Sequence, residues 1–384
     1  MNKHIINSIF IVSCISFIIP LTIHTSERKR KRTPSITIAE IPPFKRIRSN
    51  NIQNIATKKN STLLDLCKAD DTTEFENLYQ KIAAEGTQFN HAYVIEDDEG
   101  NMPLHIACCN GNTRMVQLLL PHTSNINKPN NKKETSLHLT CKSKKKEKIE
   151  IAKLLCQTRK IDYSLQDQTE STVLHIACKL GKATLVEIIL NSMRLCSNRM
   201  QAKVLALRDE IGSTVLNNAC MFKNIEAVRL LLEQEFIYPN TPQFDGTTPL
   251  HTAIELRCYP IIELLLAHKR VNPNQQDKTL IVKCRKVKKQ DPDDRQWYEG
   301  DEEYAKRKPH NTPLHFACFF NDIAAVTLLL MHKTINPYIE NGNKLKPLHI
   351  AQQFKSRHIK QQRYNQTIIK LFQDYEAQLK ALNK

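Results

Sequence analysis

The chain has 384 residues, with 56 Lys and Arg against 39 Asp and Glu, for a formal net charge of +17 at neutral pH. A chain of this length could hold two or three compact domains, and the charge draws acidic partners, membranes or nucleic acid without choosing among them. The sequence has no glycine-rich phosphate loop, no Gly-x-Ser-x-Gly elbow and no His-Glu-x-x-His pair, so a non-enzyme without metal or cofactor is expected.

Residues 1–26 read as a signal peptide or a membrane anchor. Ile5 to Ile23 are charge-free and mostly apolar, long enough for either. Ile11 to Cys14 are similar to a bacterial lipoprotein box, whereas the basic run that follows suits a segment retained as a tether. Residues 27–60 form a basic flexible tether holding Pro34, Pro42 and Pro43. Its two clusters, Arg28, Lys29, Arg30, Lys31 and Arg32, then Lys45, Arg46 and Arg48, have the spacing of a bipartite nuclear-import signal.

From Ser61 onward the pattern changes to paired apolar segments at helical spacing. STLLDLC, with Asp65 at the position that later copies give to His, begins an amino-terminal cap whose facing helix is supplied by Phe75, Leu78 and Tyr79. The copies that follow centre on His105, His138, His175, Asn217, His251, His315 and His349. In TTPLHTAIEL, Thr248 can cap a helix and Pro249 suits its first turn. A second segment follows each copy, as in MVQLLL, LVEIIL, AVRLLL, IIELLL and AVTLLL, so each unit is a helix, a turn and a helix. Gly100, Gly212 and Gly246 fall five residues before the central position, Gly342 lies in the same kind of hairpin, and Gly111 and Gly181 stand between the helices; both places favour positive φ. Cys108, Cys141, Cys178, Cys220 and Cys318 lie three residues after the centre, where they serve as small apolar residues between stacked units rather than as metal ligands. Unpaired thiols in this number suit a reducing compartment.

This Thr-Pro-Leu-His-x-Ala core at a period near 33 residues resembles the ankyrin repeat. The resemblance covers roughly residues 61–384 and implies an all-α solenoid of about seven helix-turn-helix units plus an amino-terminal cap. It also implies a monomeric, non-catalytic scaffold that binds a protein through a concave face of loops and first helices. In that family the His braces its turn near a Thr three residues earlier; Thr135, Thr172, Thr214, Thr248 and Thr312 keep the hydroxyl, whereas Met102 and Lys346 do not. Asn217 is expected to leave a weakened unit. The signal-like start, basic tail and repeats together resemble ankyrin proteins that intracellular bacteria export to act on host proteins.

Departures from the period mark further features. KSKKKEK, Lys142 to Lys148, lengthens one interhelix link and reads as an exposed basic turn. Between Asn191 and Ile211 either the preceding helix continues or a short extra turn forms. An insertion at about 275–310 begins basic and becomes acidic, with Trp297 and Tyr298 between; an aromatic there either anchors a partner or seals the insert against its neighbours. At the carboxy terminus Ile368, Leu371, Phe372, Tyr375 and Leu379 form one stripe of a capping helix. The candidate partner-binding residues are Trp297 and Tyr298 and the hairpin-tip residues Asn127, Asn130, Gln168, Phe244, Asp245, Asn341 and Asn343. Nucleic acid, drawn by the tail and KSKKKEK, is the alternative partner.

Overall fold

The computed structural model describes residues 63–84, 96–277, 288–290, 297–299, 310–353 and 359–382. Residues 1–62, with the candidate signal, the tether and all of its basic clusters, lie outside the described residues. The described chain is a row of helix pairs. A helix over 63–69 (α1) and Thr72–Ala84 (α2) form the first pair, followed by Pro103–Asn110 (α3) with Thr113–Leu119 (α4), and Ser136–Lys142 (α5) with Lys148–Gln157 (α6). Val173–Lys179 (α7) and Ala183–Met193 (α8) come next, then a separate short helix, Asn198–Ala206 (α9), in the long link where the sequence left two readings open. The series continues with Val215–Met221 (α10) and Ile225–Leu232 (α11), Pro249–Glu255 (α12) and Tyr259–Ala267 (α13), Pro313–Phe319 (α14) and Ile323–Leu330 (α15), and Pro347–Gln353 (α16) with Ile359–Leu382 (α17).

First helices pack side by side from α3 to α16, and second helices pack in a parallel row behind them. Close approach of the first helices needs small side chains. Ala107, Ala177, Ala219, Ala253, Ala317 and Ala351 stand two residues after the central position and are fully buried, as are the five cysteines one residue further on. Burial pushes the Cys108, Cys141 and Cys178 thiols up to about 12, so they behave as packing atoms rather than thiolates. The second helices bury Val116 with Leu119, Val228 with Leu231 and Val326 with Leu329; each such side chain contributes about 1.5–3 kcal/mol of apolar transfer.

In the third, fifth and sixth units the central histidine ties its unit to the next. In the fifth unit Thr248 donates its N–H to His251 Nδ1 at 3.3 Å, which leaves the ring proton on Nε2, and Nε2 donates to the Asn311 carbonyl of the sixth unit at 3.0 Å. His175 reaches the Ser213 carbonyl and His315 the Leu345 carbonyl in the same way. Met102 lacks the hydroxyl, yet its N–H still donates to His105 Nδ1 at 3.0 Å. Asn217 keeps only half of the arrangement: its Oδ1 accepts from Thr214, while its buried Nδ2 has no partner. An orphaned buried donor of this kind costs about 1–3 kcal/mol.

Two expectations are corrected. In the first pair, Asp71 N–H bonds to the Leu66 carbonyl as Asn112 N–H bonds to Ala107, which puts Leu64 and not Asp65 at the histidine position. Leu64 is buried and Asp65 exposed, so the cap fills that position with an apolar side chain and leaves the carboxylate to solvent. The left-handed residue of the last hairpin is Lys344 at φ 57°, in register with Gly100, Gly212 and Gly246, rather than Gly342. The repeats are an all-α solenoid, as expected; within the insertion Lys288–Gln290 (β1) pairs antiparallel with Trp297–Glu299 (β2), Lys289 opposite Tyr298.

The carboxy-terminal stripe is present, with Ile368 and Phe372 buried and Leu371 and Tyr375 packed against the core. Phe372 ends the apolar row that begins at Leu63.

Burial holds His175 and His251 at about 4, below an unfolded value of about 6.5. A depressed folded value means that the unfolded chain takes up more protons between these limits, so stability is complete above pH 6.5 and declines as pH falls toward 4. Urea midpoints of the full chain should therefore be level from pH 8 to 7 and drop between pH 6.5 and 4.5, above the range in which carboxylates protonate. Replacing Asn217 with His should raise stability by about 1 kcal/mol, read as a higher urea midpoint, by supplying the missing tie to the fifth unit.

Candidate partner-binding surface

Hairpins join successive units and their tips form one edge of the row. Five tips are closed from inside by a residue eight positions before the central one, namely Asp97, Asn130, Asp167, Asp209 or Asn341, whereas Gln243 at that position bonds Ser213 and Thr252. Asp209 is fully buried; its Oδ1 accepts the Ile211 and Ser213 N–H groups at 3.2 and 2.9 Å, and its Oδ2 takes Asn218 Nδ2 and the Lys179 ammonium. Asp167 accepts from Thr169 and Ser171 and pairs with Lys142 at 2.8 Å. Burial pushes the Asp167 carboxyl up, but Lys142 and the Thr169 and Ser171 donors outweigh it and hold the group below the usual carboxylate value.

The candidate tip residues divide into braces and exposed groups. Asn130 is buried; its Oδ1 accepts from the Lys132 and Glu134 N–H groups and its Nδ2 donates to Asn101. Asn341 is buried in the same way, accepting from Asn343 and Leu345 and donating to Asn311. Asn127 lies away from the tips: its Nδ2 donates to the Lys160 carbonyl at 2.7 Å and its Oδ1 accepts the Asp162 N–H, an arrangement repeated at Asn240 and Asn274. These three asparagines are spent on the chain itself. Gln168 is exposed and donates to the Asn131 carbonyl of the preceding tip. Asp245 is exposed and caps Thr247, and Asn343 is exposed.

Phe244 is the large apolar group among the candidates, 56% exposed, with its ring lying over Gly212 and 6.0 Å from the Arg208 guanidinium. A Cβ on Gly212 would lie 2.4 Å from that ring, and Gly212 has φ 79°, so the neighbouring glycine is what seats the phenyl group.

The insertion leaves and rejoins at a hairpin tip. Asp277 N–H donates to the Asn311 carbonyl at 2.9 Å and Asn311 N–H returns to Asp277 Oδ1, so the fifth and sixth units stack as if contiguous. The side chains of Trp297 and Tyr298 lie outside the described residues; their backbone belongs to β2.

The ends of the first helices carry a feature the sequence reading passed over. Five residues after the central position stand Asn110, Ser143, Leu180, Phe222, Leu256 and Phe320, and Leu180 and Phe222 are 45% and 48% exposed. The next residue has positive φ: Gly111 and Gly181 in two units, but Lys223 at 53° and Arg257 at 51° in others. A side chain there costs about 1 kcal/mol relative to glycine. The signal was visible as apolar residues filling a place that the early copies give to Asn and Ser.

A family profile described as ankyrin repeats in three copies matches residues 74–167 and 174–277, and the profile of the single ankyrin repeat matches 310–342. The chain belongs to the ankyrin-repeat family. It is similar to Rabankyrin-5 of Homo sapiens, 30% identical over 148 residues covering 37% of this chain and 12% of that protein. It is also similar to the B-cell lymphoma 3 protein homolog of Mus musculus, 27% identical over 176 residues, 45% of this chain and 37% of that protein. The chain thus spans well under half the length of these curated ankyrin relatives. Among solved structures, the ankyrin repeat domain of Bcl-3, a member of the IkappaB protein family, matches with a TM-score of 0.51 at 22% identity, over 72% of this chain and all of that one. That likeness carries the ankyrin fold. Ankyrin repeats generally mediate binding to protein partners, and ankyrin relatives are typically non-enzymatic scaffolds.

Replacing Asp209 with Ala should lower stability by about 3 kcal/mol, because it orphans two hairpin N–H groups, Asn218 and the Lys179 ammonium together. A shift of the urea midpoint below 1 kcal/mol would show that the tip closes without it.

Proposed function

We propose that the array is an adaptor that holds one protein partner across its hairpin tips and the ends of its first helices. The observation that supports this reading most is the division of labour along the tips. Buried Asp209, Asp167, Asn130 and Asn341 fix the backbone from inside, while Phe244, Asp245, Gln168 and Asn343 are exposed along the same edge. A rigid row of loops with outward side chains suits recognition because little order is lost on binding. The insertion leaves and rejoins the array at Asp277 and Asn311, which supports a reading of Trp297 and Tyr298 as further contacts to the same partner.

The amino-terminal segments belong to the same proposal. Residues 5–23 would deliver or tether the array as a signal or an anchor; among the described residues no helix is long and apolar enough to cross a membrane. The ten described cysteines are free, which suits repeats that work in a reducing compartment, whether the cytoplasm of a host or of the cell that makes them. The basic clusters at 28–32 and 45–48 would then direct the chain to nuclei or to acidic surfaces.

An affinity pull-down with the full chain, compared with a chain lacking residues 278–309 and with Phe244→Ser, tests the proposal. Phe244→Ser should weaken capture of the partner at least tenfold without changing the urea midpoint by more than about 0.5 kcal/mol. Capture that is indifferent to both changes contradicts the assignment of the tips. Capture of nucleic acid alone, lost steeply as salt rises, would support the alternative reading.

A further inference from the structure

Hydrogen bonds between neighbouring units show that the ends of the first helices meet along one track. Ser143 Oγ donates to the Cys109 carbonyl, Asn110 Nδ2 to the Cys67 carbonyl, and the Arg257 guanidinium to the Phe320 carbonyl at 2.7 Å. Leu180, Phe222, Leu256 and Phe320 occupy the same position in units whose first helices, α7, α10, α12 and α14, pack in succession. They form an apolar line across the stack, and Phe319 beside Phe320 is 55% exposed.

A line of cations borders it. Lys182, Lys223 and Arg257 follow the apolar positions by one or two residues and are exposed, and Lys144, Lys145 and Lys146 precede them at the second unit. Among the described residues none of these six is in an ion pair with a carboxylate. The acids of the same region are Glu147, Glu226, Glu255 and Asp322; Glu226 is engaged by Arg229, and Asp322 is buried and accepts from the Tyr259 hydroxyl and the Ala325 N–H. Lys142 and Lys179, one step inward, are neutralised by Asp167 and Asp209, so the array pairs its inner lysines and leaves the outer row open. Lys223 and Arg257 also hold left-handed backbone that glycine supplies at Gly111 and Gly181.

We propose that this track docks an acidic segment of a partner protein that carries an aliphatic or aromatic residue at every third position. The proposal deepens the scaffold reading and rests on it. Adjacent packed helices stand about 8–10 Å apart, and a chain in the polyproline II form has three residues per turn and advances about 3.1 Å per residue, so one residue in three, always on the same face, meets each unit's apolar side chain. The intervening residues face the Lys182, Lys223 and Arg257 row, which selects Asp and Glu over neutral or basic side chains.

The test is fluorescence anisotropy of a fluorescein-labelled peptide, (Leu-Asp-Glu) repeated five times, titrated with the full chain. A matched (Leu-Asn-Gln) peptide and phosphatidylserine vesicles are run beside it. The acidic peptide should bind at least tenfold more tightly than the neutral one. The double variants Lys182→Glu with Lys223→Glu, and Leu180→Ser with Phe222→Ser, should each weaken binding at least tenfold, whereas Phe244→Ser should leave it unchanged. The urea midpoint of each variant, unchanged from that of the parent chain, excludes unfolding as the cause. Equal binding of both peptides, insensitivity to the track variants, or binding to vesicles alone would overturn the proposal. A partner protein captured equally well by the parent chain and both double variants would overturn this track while leaving the scaffold reading in place.

Discussion

The structure depends on side-to-side contact between first helices, made close by alanine and cysteine and fastened by a histidine that spans two units. No single helix pair has an interior of its own. Leu250, Ala253 and Ile254 are fully enclosed only because α10 and α14 flank α12. The His251 ring performs two tasks at once: Nδ1 orders its own turn and Nε2 orders the turn of the next unit, while its face meets Phe316 edge-on at 4.8 Å. A neutral ring is required for this, which is why burial sets the protonation state against acid.

Function follows from the same constraint. Because the stack fixes every backbone, the tips and helix ends vary in side chain without altering the frame. The insertion illustrates this: about 31 residues beyond the period enter at a single tip, and the Asp277–Asn311 exchange together with the His251 tie preserves stacking across it. Asn217 is the counter-example. A shorter amide orders its own turn through Thr214 but does not reach the next unit, so the junction between the fourth and fifth units lacks the contact that His175, His251 and His315 make.

Most of the fold was legible because two periodicities repeat in phase, a first helix marked by Leu-His-x-Ala and a second marked by aliphatic triplets. Legibility failed where only one face of a unit is buried. In the cap, the ring-bearing position became Leu64, and a register taken from later copies set Asp65 there instead. The tips were harder to read for a different reason. Asn130 and Asn341 stand eight residues before the central position and are buried, accepting hairpin N–H groups, whereas Asp245 stands six before it and is exposed, so register within the unit rather than residue type sets the difference. The apolar and basic track was hidden because its members lie 34 to 64 residues apart in sequence and share only their place in the unit.

The most direct measurement is a series of chains shortened from the carboxy terminus, ending before α16, before α14 and before α12, each unfolded in urea. A stack held by neighbour contacts loses stability at each step, so the midpoint should fall progressively with every unit removed. A midpoint that stayed constant while only the amplitude shrank would mean that the helix pairs fold around separate cores, and would contradict the central claim.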